Sequence, residues 1–167
     1  MRGKRNMNRS LTFLFVIIAT CFSAASFAGA EAMFERDLAR AQQGDAEAQY
    51  DVAYRYEKGR GIEEDDELAL EWFLKAAQQG LDKAQYKLGL FYLNGAGTDK
   101  DADKAQAWLQ KSADQGYPPA QYQLGKLYAS NAGERDFERA LDWLQKAKDN
   151  GFEPATTELI RLRRKAD

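Results

Sequence analysis

Four glycines, Gly44, Gly80, Gly116 and Gly151, stand 36, 36 and 35 residues apart, and the residues between them recur in register. Counted from each glycine, Ala48, Ala84, Ala120 and Ala155 coincide. So do Gln49, Gln85 and Gln121, then Tyr50, Tyr86 and Tyr122, then Tyr56, Tyr92 and Tyr128, and finally Trp72, Trp108 and Trp143. A period of this length marks a chain built by stacking one supersecondary unit, each copy burying its apolar face against the next.

Each copy holds two helical patterns. In the first, Ala48, Val52 and Tyr56 recur every fourth residue with Ala53 beside them, giving one apolar face. Gly89 and Gly125 take the place of Ala53, so helices can approach closely there. In the second, Ala69, Trp72, Phe73, Ala76 and Ala77 lie at i, i+3, i+4, i+7 and i+8. Ala105, Trp108, Leu109, Ser112 and Ala113 repeat that stripe, as do Ala140, Trp143, Leu144 and Ala147.

The punctuation agrees. Gly59 and Gly61, and Gly95 and Gly97, supply positive-φ positions that end a helix and turn the chain, a role open to Asn131 and Gly133 in the third copy. Asp65, Asp101 and Asp136 each stand four residues before the in-register alanine and are placed to cap the second helix. The pattern predicts repeats at 44–79, 80–115 and 116–150. Helices at 31–43, a lone second helix with Phe34, Leu38 and Ala41 apolar, and at 151–167, a lone first helix, flank them as caps.

The string AQYKLGLFYLNGAGTDKDADKAQAWLQKSADQG of the second copy resembles the Sel-one-like repeat, a relative of the tetratricopeptide repeat. The resemblance covers about Gly44 to Ala155 and implies an all-α, right-handed αα-hairpin solenoid. The third copy departs from it, with Ala129-Ser130-Asn131 in its loop, one residue fewer and Lys148 in place of alanine. For exported bacterial members the resemblance implies an adaptor or regulator that binds a protein or peptide partner and performs no catalysis.

The first 28 residues read as a secretory leader. Arg2, Lys4, Arg5 and Arg9 precede the apolar run Leu11 to Phe22 and the small residues SAASFAGA. Cleavage is expected after Ala28 or Ala30. The run of 12 apolar residues is short of the roughly 20 that span a bilayer. Ile18-Ala19-Thr20-Cys21 is a loose lipidation signal, poorly matched at Thr20 and followed by an apolar stretch. The expected location is the periplasm of a Gram-negative bacterium or the exterior, with no stable membrane span after cleavage.

Removing the leader takes four positive charges and moves the net from −2 to −6, which argues against nucleic acid and anionic lipid as partners. It also removes Cys21, the single cysteine, and the chain has no histidine. Thiol and imidazole dyads are therefore excluded from the mature chain, no cofactor or metal is called for, and no Ser-x-x-Lys is present. An enzyme or small-ligand protein acting on cell-wall material, the alternative reading, would have to work with clustered carboxylates. The run Glu63-Glu64-Asp65-Asp66-Glu67 lies where a helix N-terminus favours negative charge, and Arg161-Leu162-Arg163-Arg164-Lys165 where a C-terminus favours positive charge. Self-association through these oppositely charged segments is a third possibility.

Candidate binding residues come from helical geometry. At 100° per residue from Ala48, the packing residues Val52, Tyr56, Gln49 and Ala53 fall at about 40°, 80°, 100° and 140°, whereas Tyr50 falls at about 200° and Tyr54 at about 240°. Tyr86 and Leu90, and Tyr122 and Lys126, are their equivalents. If the stack curves as the resemblance implies, first helices line the concave side and these six residues form a stripe along it. Tyr50, Tyr86 and Tyr122 could equally pack against the adjacent repeat. Tyr54, Leu90 and Lys126 differ between copies and are the specificity candidates.

Overall fold

The computed structural model describes residues 29, 32–130 and 134–166. The expected leader, its cleavage sites, Cys21 and the turn residues Asn131 and Gly133 lie outside them. Helix α1 spans 32–42. It is followed by α2 (Ala46–Lys58), α3 (Asp66–Gln78), α4 (Asp82–Asn94), α5 (Ala102–Asp114), α6 (Pro118–Ser130), α7 (Glu134–Asp149) and α8 (Glu153–Ala166). Each helix packs against its sequence neighbours, most extensively in the hairpins α2–α3, α4–α5 and α6–α7. The chain is an αα-hairpin solenoid.

Short side chains set how closely these helices stack. Ala48, Ala53, Ala69 and Ala76, with their equivalents Ala84, Ala105, Ala120, Ala140 and Ala147, are all essentially inaccessible. The larger residues between them, Val52, Phe73, Leu88, Leu109, Leu124 and Leu144, are fully enclosed. The two end helices join this core: Phe34 and Ala41 of α1 bury against Ala48 and Val52. Leu159 and Leu162 of α8 close the cluster around Leu124 and Leu144.

Inner loops and junctions are closed by different devices. Asp65 and Asp101 cap α3 and α5 through side chains that accept from the backbone N–H of Leu68 and Lys104 (both 2.9 Å). Their own N–H groups donate to the carbonyls of Tyr56 and Tyr92 (both 3.0 Å). Gly59, Gly61, Gly95 and Gly97 all take positive φ. Gly97 is held hardest, because a Cβ there would lie 2.3 Å from the Asp66 carbonyl oxygen of the preceding repeat. At the junctions an apolar residue replaces a polar cap. Leu81, Tyr117 and Phe152 follow a glycine, and their N–H groups donate back to the carbonyls of Ala76, Ser112 and Ala147 (3.3, 3.2 and 2.9 Å), in the manner of a Schellman motif.

The third copy corrects one expectation. Asp136 does not cap α7, which begins at Glu134 and runs 16 residues against 13 for its counterparts. Asp136 lies within the first turn and pairs with Arg139 (3.5 Å). The loop that is one residue shorter hands its length to the helix, and a carboxylate in a first turn still gains from the positive helix end.

Gly89 and Gly125 do mark the closest approach, and the contact is with the partner helix of the same hairpin. A Cβ at Gly89 would meet Leu109 Cγ at 2.7 Å and the Ala105 carbonyl oxygen at 3.2 Å. At Gly125 it would meet Leu144 Cγ at 2.6 Å and the Ala140 carbonyl at 3.2 Å. In the first copy Ala53 packs in one cluster with Phe73, which stands at the register position of Leu109 and Leu144. The flat ring leaves room for the methyl that a branched leucine excludes.

Candidate protein-binding face

The first helices α2, α4 and α6 are fixed in place by a polar ladder. The Gln49 side-chain amide donates to the Ala41 carbonyl in the last turn of α1 (3.1 Å), and its oxygen accepts from Gln79 after α3 (2.7 Å). Gln85 repeats this with Ala77 (3.2 Å) and Gln115 (2.8 Å), and Gln121 with Ala113 (3.2 Å) and Asn150 (2.9 Å). Each glutamine is nearly inaccessible and gives a second hydrogen bond to a helix-end carbonyl that also accepts from the N–H of Gly44, Gly80 or Gly116. A polar residue recurring beside the buried alanine was the sequence signal for this role.

The in-register tyrosines sit in the seams between repeats. Tyr86 packs on Tyr117 (ring centroids 5.5 Å apart) and Tyr122 on Phe152 (5.2 Å). Tyr50 lies against Phe73 (5.4 Å) and in the cluster that contains Leu81. All three are half-buried. Tyr86 and Tyr122 meet a ring of the next junction, whereas Tyr50 also keeps contact with Phe73 of its own hairpin. Burial, with the nearby Tyr117 phenol and Glu57 carboxylate adding to it, pushes the Tyr50 hydroxyl up to about 12.

Tyr54, Leu90 and Lys126 stand one turn further along. Tyr54 and Leu90 are half-buried, and Lys126 is exposed. Tyr54 is parallel to Tyr50 (6.4 Å), with the Arg60 guanidinium 5.1 Å and the Lys87 ammonium 5.4 Å from its ring centre. Lys83 lies over Tyr50 at 4.3 Å and Lys126 over Tyr122 at 5.4 Å. Such contacts leave aromatic faces partly available beneath a cation.

Ion pairs join neighbouring first helices across this face. Lys83 of α4 pairs with Glu47 of α2, and Lys87 with Glu57 (2.7 Å), which also accepts from Lys58 (2.8 Å). Burial pushes the Glu57 carboxyl up, and the hydrogen bonds from Lys58 and Lys87 outweigh it, leaving the group below its ordinary value. Sequence reasoning did not pick out these residues. The available signal was Glu47 and Lys83, opposite charges at the same register position of adjacent copies. Between α2 and α4 opens a cleft lined by Glu57, Glu64, Asp66, Leu90, Phe91 and Ala96, among others.

The face therefore offers aromatic and apolar contacts framed by charge, the composition of a protein-recognition surface. Among the described residues no three His, Cys, Asp or Glu side chains are grouped so as to hold a metal ion, and no helix is long and apolar enough to cross a membrane. The second helices carry a different ladder, in which Lys75, Lys111 and Lys146 lie over Trp72, Trp108 and Trp143 at 3.8, 4.0 and 4.2 Å. Those tryptophans, expected in the packing stripe, are half-buried at its edge, each beneath the stem of a lysine one helical turn on.

No curated protein matches the chain. Among solved structures, a Sel1 repeat protein from Oxalobacter formigenes is 36% identical over 70% of this chain, with a TM-score of 0.66. A protective antigen present in uropathogenic Escherichia coli strains, displaying an SLR fold, is 37% identical over 71% of the chain, with a TM-score of 0.67. The match takes in 47% of the first protein and 26% of the second, so this chain spans less than half of either. The Sel1 repeat family model matches residues 46–81, 82–117 and 118–152. With three successive copies on the hairpins whose geometry is described above, the chain belongs to the Sel1 repeat family.

Proposed function

We propose that this protein is an exported adaptor or regulator of the bacterial envelope that binds a segment of another protein along its first-helix face. Sel1 repeats typically serve protein–protein interaction, and the leader-like first 28 residues support export. The observation that carries the reading is the stripe Tyr50, Tyr54, Tyr86, Leu90, Tyr122 and Lys126. Its rings are half-exposed and cation-covered at Tyr50, Tyr54 and Tyr122, and the helices that bear it are linked by the Glu47–Lys83 and Glu57–Lys87 pairs. Tyrosine brings large contact area with only two side-chain torsions to freeze, which suits it to such a surface. Tyr50, Tyr86 and Tyr122 form its floor; Tyr54, Leu90 and Lys126 distinguish one partner from another.

The test is affinity capture from envelope extract with the purified protein and with a variant carrying alanine at positions 54, 90 and 126. Partners retained by the parent and lost by a variant with unchanged far-UV circular dichroism support the face. Undiminished capture by the folded variant removes it. N-terminal sequencing of the protein recovered from the periplasmic fraction tests export, with cleavage after Ala28 or Ala30 expected.

A further inference from the structure

Charge is distributed unevenly along the first-helix face, and the unevenness has a direction. The segment 46–67, which holds α2 and its inner loop, carries eight acidic and three basic residues. The equivalent segment 82–103 carries four acidic and three basic residues. The third, 118–138, carries three acidic and two basic residues, with none of the acids in helix α6, and α8 through residue 164 has three arginines against two glutamates. The charge thus passes from strongly acidic in the first repeat, through weakly acidic in the second and third, to basic at α8.

The exposed groups follow the same order. Glu64 is exposed at the cleft between α2 and α4, next to the exposed Glu63. The two lysines that line the cleft, Lys58 and Lys87, are both engaged by Glu57. The half-buried Leu90 and the buried Phe91 give that cleft an apolar wall. At the other end the Lys126 ammonium lies over Tyr122 on a helix without a carboxylate, and the exposed Arg163 and Arg164 continue the positive surface along α8, where Arg161 is engaged by Glu158. The side chain at this register position changes from Tyr54 through Leu90 to Lys126 and Arg161.

We infer that the face takes a protein segment in one direction only, a basic stretch over the first repeat, an apolar side chain against Leu90 and an acidic stretch over Lys126 and α8. The inference rests on the binding role proposed above and names the chemistry of the partner. Complementary fields steer an encounter and fix register, and a segment laid the other way would set like charges together at both ends.

A phage library of random linear peptides selected on the parent protein, with selection on the variant alanine-substituted at positions 54, 90 and 126 as control, tests this. The expected winners carry basic residues on one side of an apolar residue and acidic residues on the other. A synthetic winner should bind at least about tenfold more tightly than the same peptide with its charged ends exchanged, and the gap should shrink at high salt. Glu64→Lys and Lys126→Glu, both at exposed positions, should each weaken the winner while leaving circular dichroism unchanged. Winners with no consistent charge order, or equal binding of the exchanged peptide, overturn the directional inference and leave the face as a binding surface. Absence of enrichment over the control overturns both.

Discussion

Gly89→Ala is expected to destabilise the protein, although alanine is the better helix former. The new Cβ would stand 2.7 Å from Leu109 Cγ and 2.9 Å from Cδ2, with the Ala105 carbonyl at 3.2 Å. Carbon atoms are at their optimum at about 3.5–4.0 Å, so Leu109 must leave its rotamer or the helices must part. Overpacking of this kind costs about 1–3 kcal/mol. The gain in helix propensity offsets about 1 kcal/mol of it. A net loss of about 1 kcal/mol would lower Tm by about 4 °C for a domain of this size. The first repeat supplies the control, because Ala53 packs with Phe73 where the second repeat pairs Gly89 with Leu109. Gly89→Ala combined with Leu109→Phe should therefore recover most of the loss, with a coupling energy of about 1–2 kcal/mol in a double-mutant cycle. Urea and thermal unfolding followed by circular dichroism of the four proteins measure this. A single variant more stable than the parent, or additive effects in the double variant, would show that the Gly–Leu contact does not set the helix spacing.

Gln85→Ala should cost about 1–3 kcal/mol, because two hydrogen bonds across the seam are lost at about 0.5–1.5 kcal/mol each, while the Ala77 carbonyl keeps the Gly80 N–H and the Gln115 amide keeps the Gly80 carbonyl. Hydrogen exchange should quicken first at the α3–α4 junction; uniform protection would count against the ladder. Gly97→Ala should compromise folding far more than Gly116→Ala. The first combines a left-handed φ with a Cβ 2.3 Å from the Asp66 carbonyl, whereas the second has only its positive φ, worth about 1–2 kcal/mol. Comparable unfolding midpoints for the two would refute the close inter-repeat contact. Because the folded state holds Glu57 below its ordinary value of 4.5, its stabilising contribution is present above that pH and is lost as pH falls through the folded value. Glu57→Gln should flatten the acid side of a stability profile below about pH 4.5, and an unchanged acid limb would show that the Lys58 and Lys87 contacts contribute nothing there.

Much of the architecture was legible because it is local and repeated. Helix periodicity, the positive-φ glycines and the caps at Asp65 and Asp101 depend on a few neighbouring residues, and three copies in register show the same answer. Where the third copy breaks the register, local reasoning fails: the one-residue deletion moves the start of α7, so Asp136 is inside a helix that it was expected to cap. The face was legible only in part. Helical angle sets Tyr50 and Tyr54 apart from the buried face of α2, but both still pack against the cluster around Phe73, and the angle carries nothing about the repeat that follows.

The sequence by itself determined the unit and its number, the all-helical class, the small residues that let helices stack closely, and which first-helix positions vary from copy to copy. Those properties follow from periodicity and from backbone preferences within about a turn. Only the tertiary structure decided that Gln49, Gln85 and Gln121 bind carbonyls at the end of the preceding helix, and that Tyr50, Tyr86 and Tyr122 wedge into the seams. It alone decided that Ala53 accompanies Phe73 while glycine accompanies leucine, and that Glu57 meets Lys87 across two repeats. Each of these joins residues about 8 to 31 positions apart in sequence. Their meeting is fixed by how one hairpin leans on the next, which no single helix records.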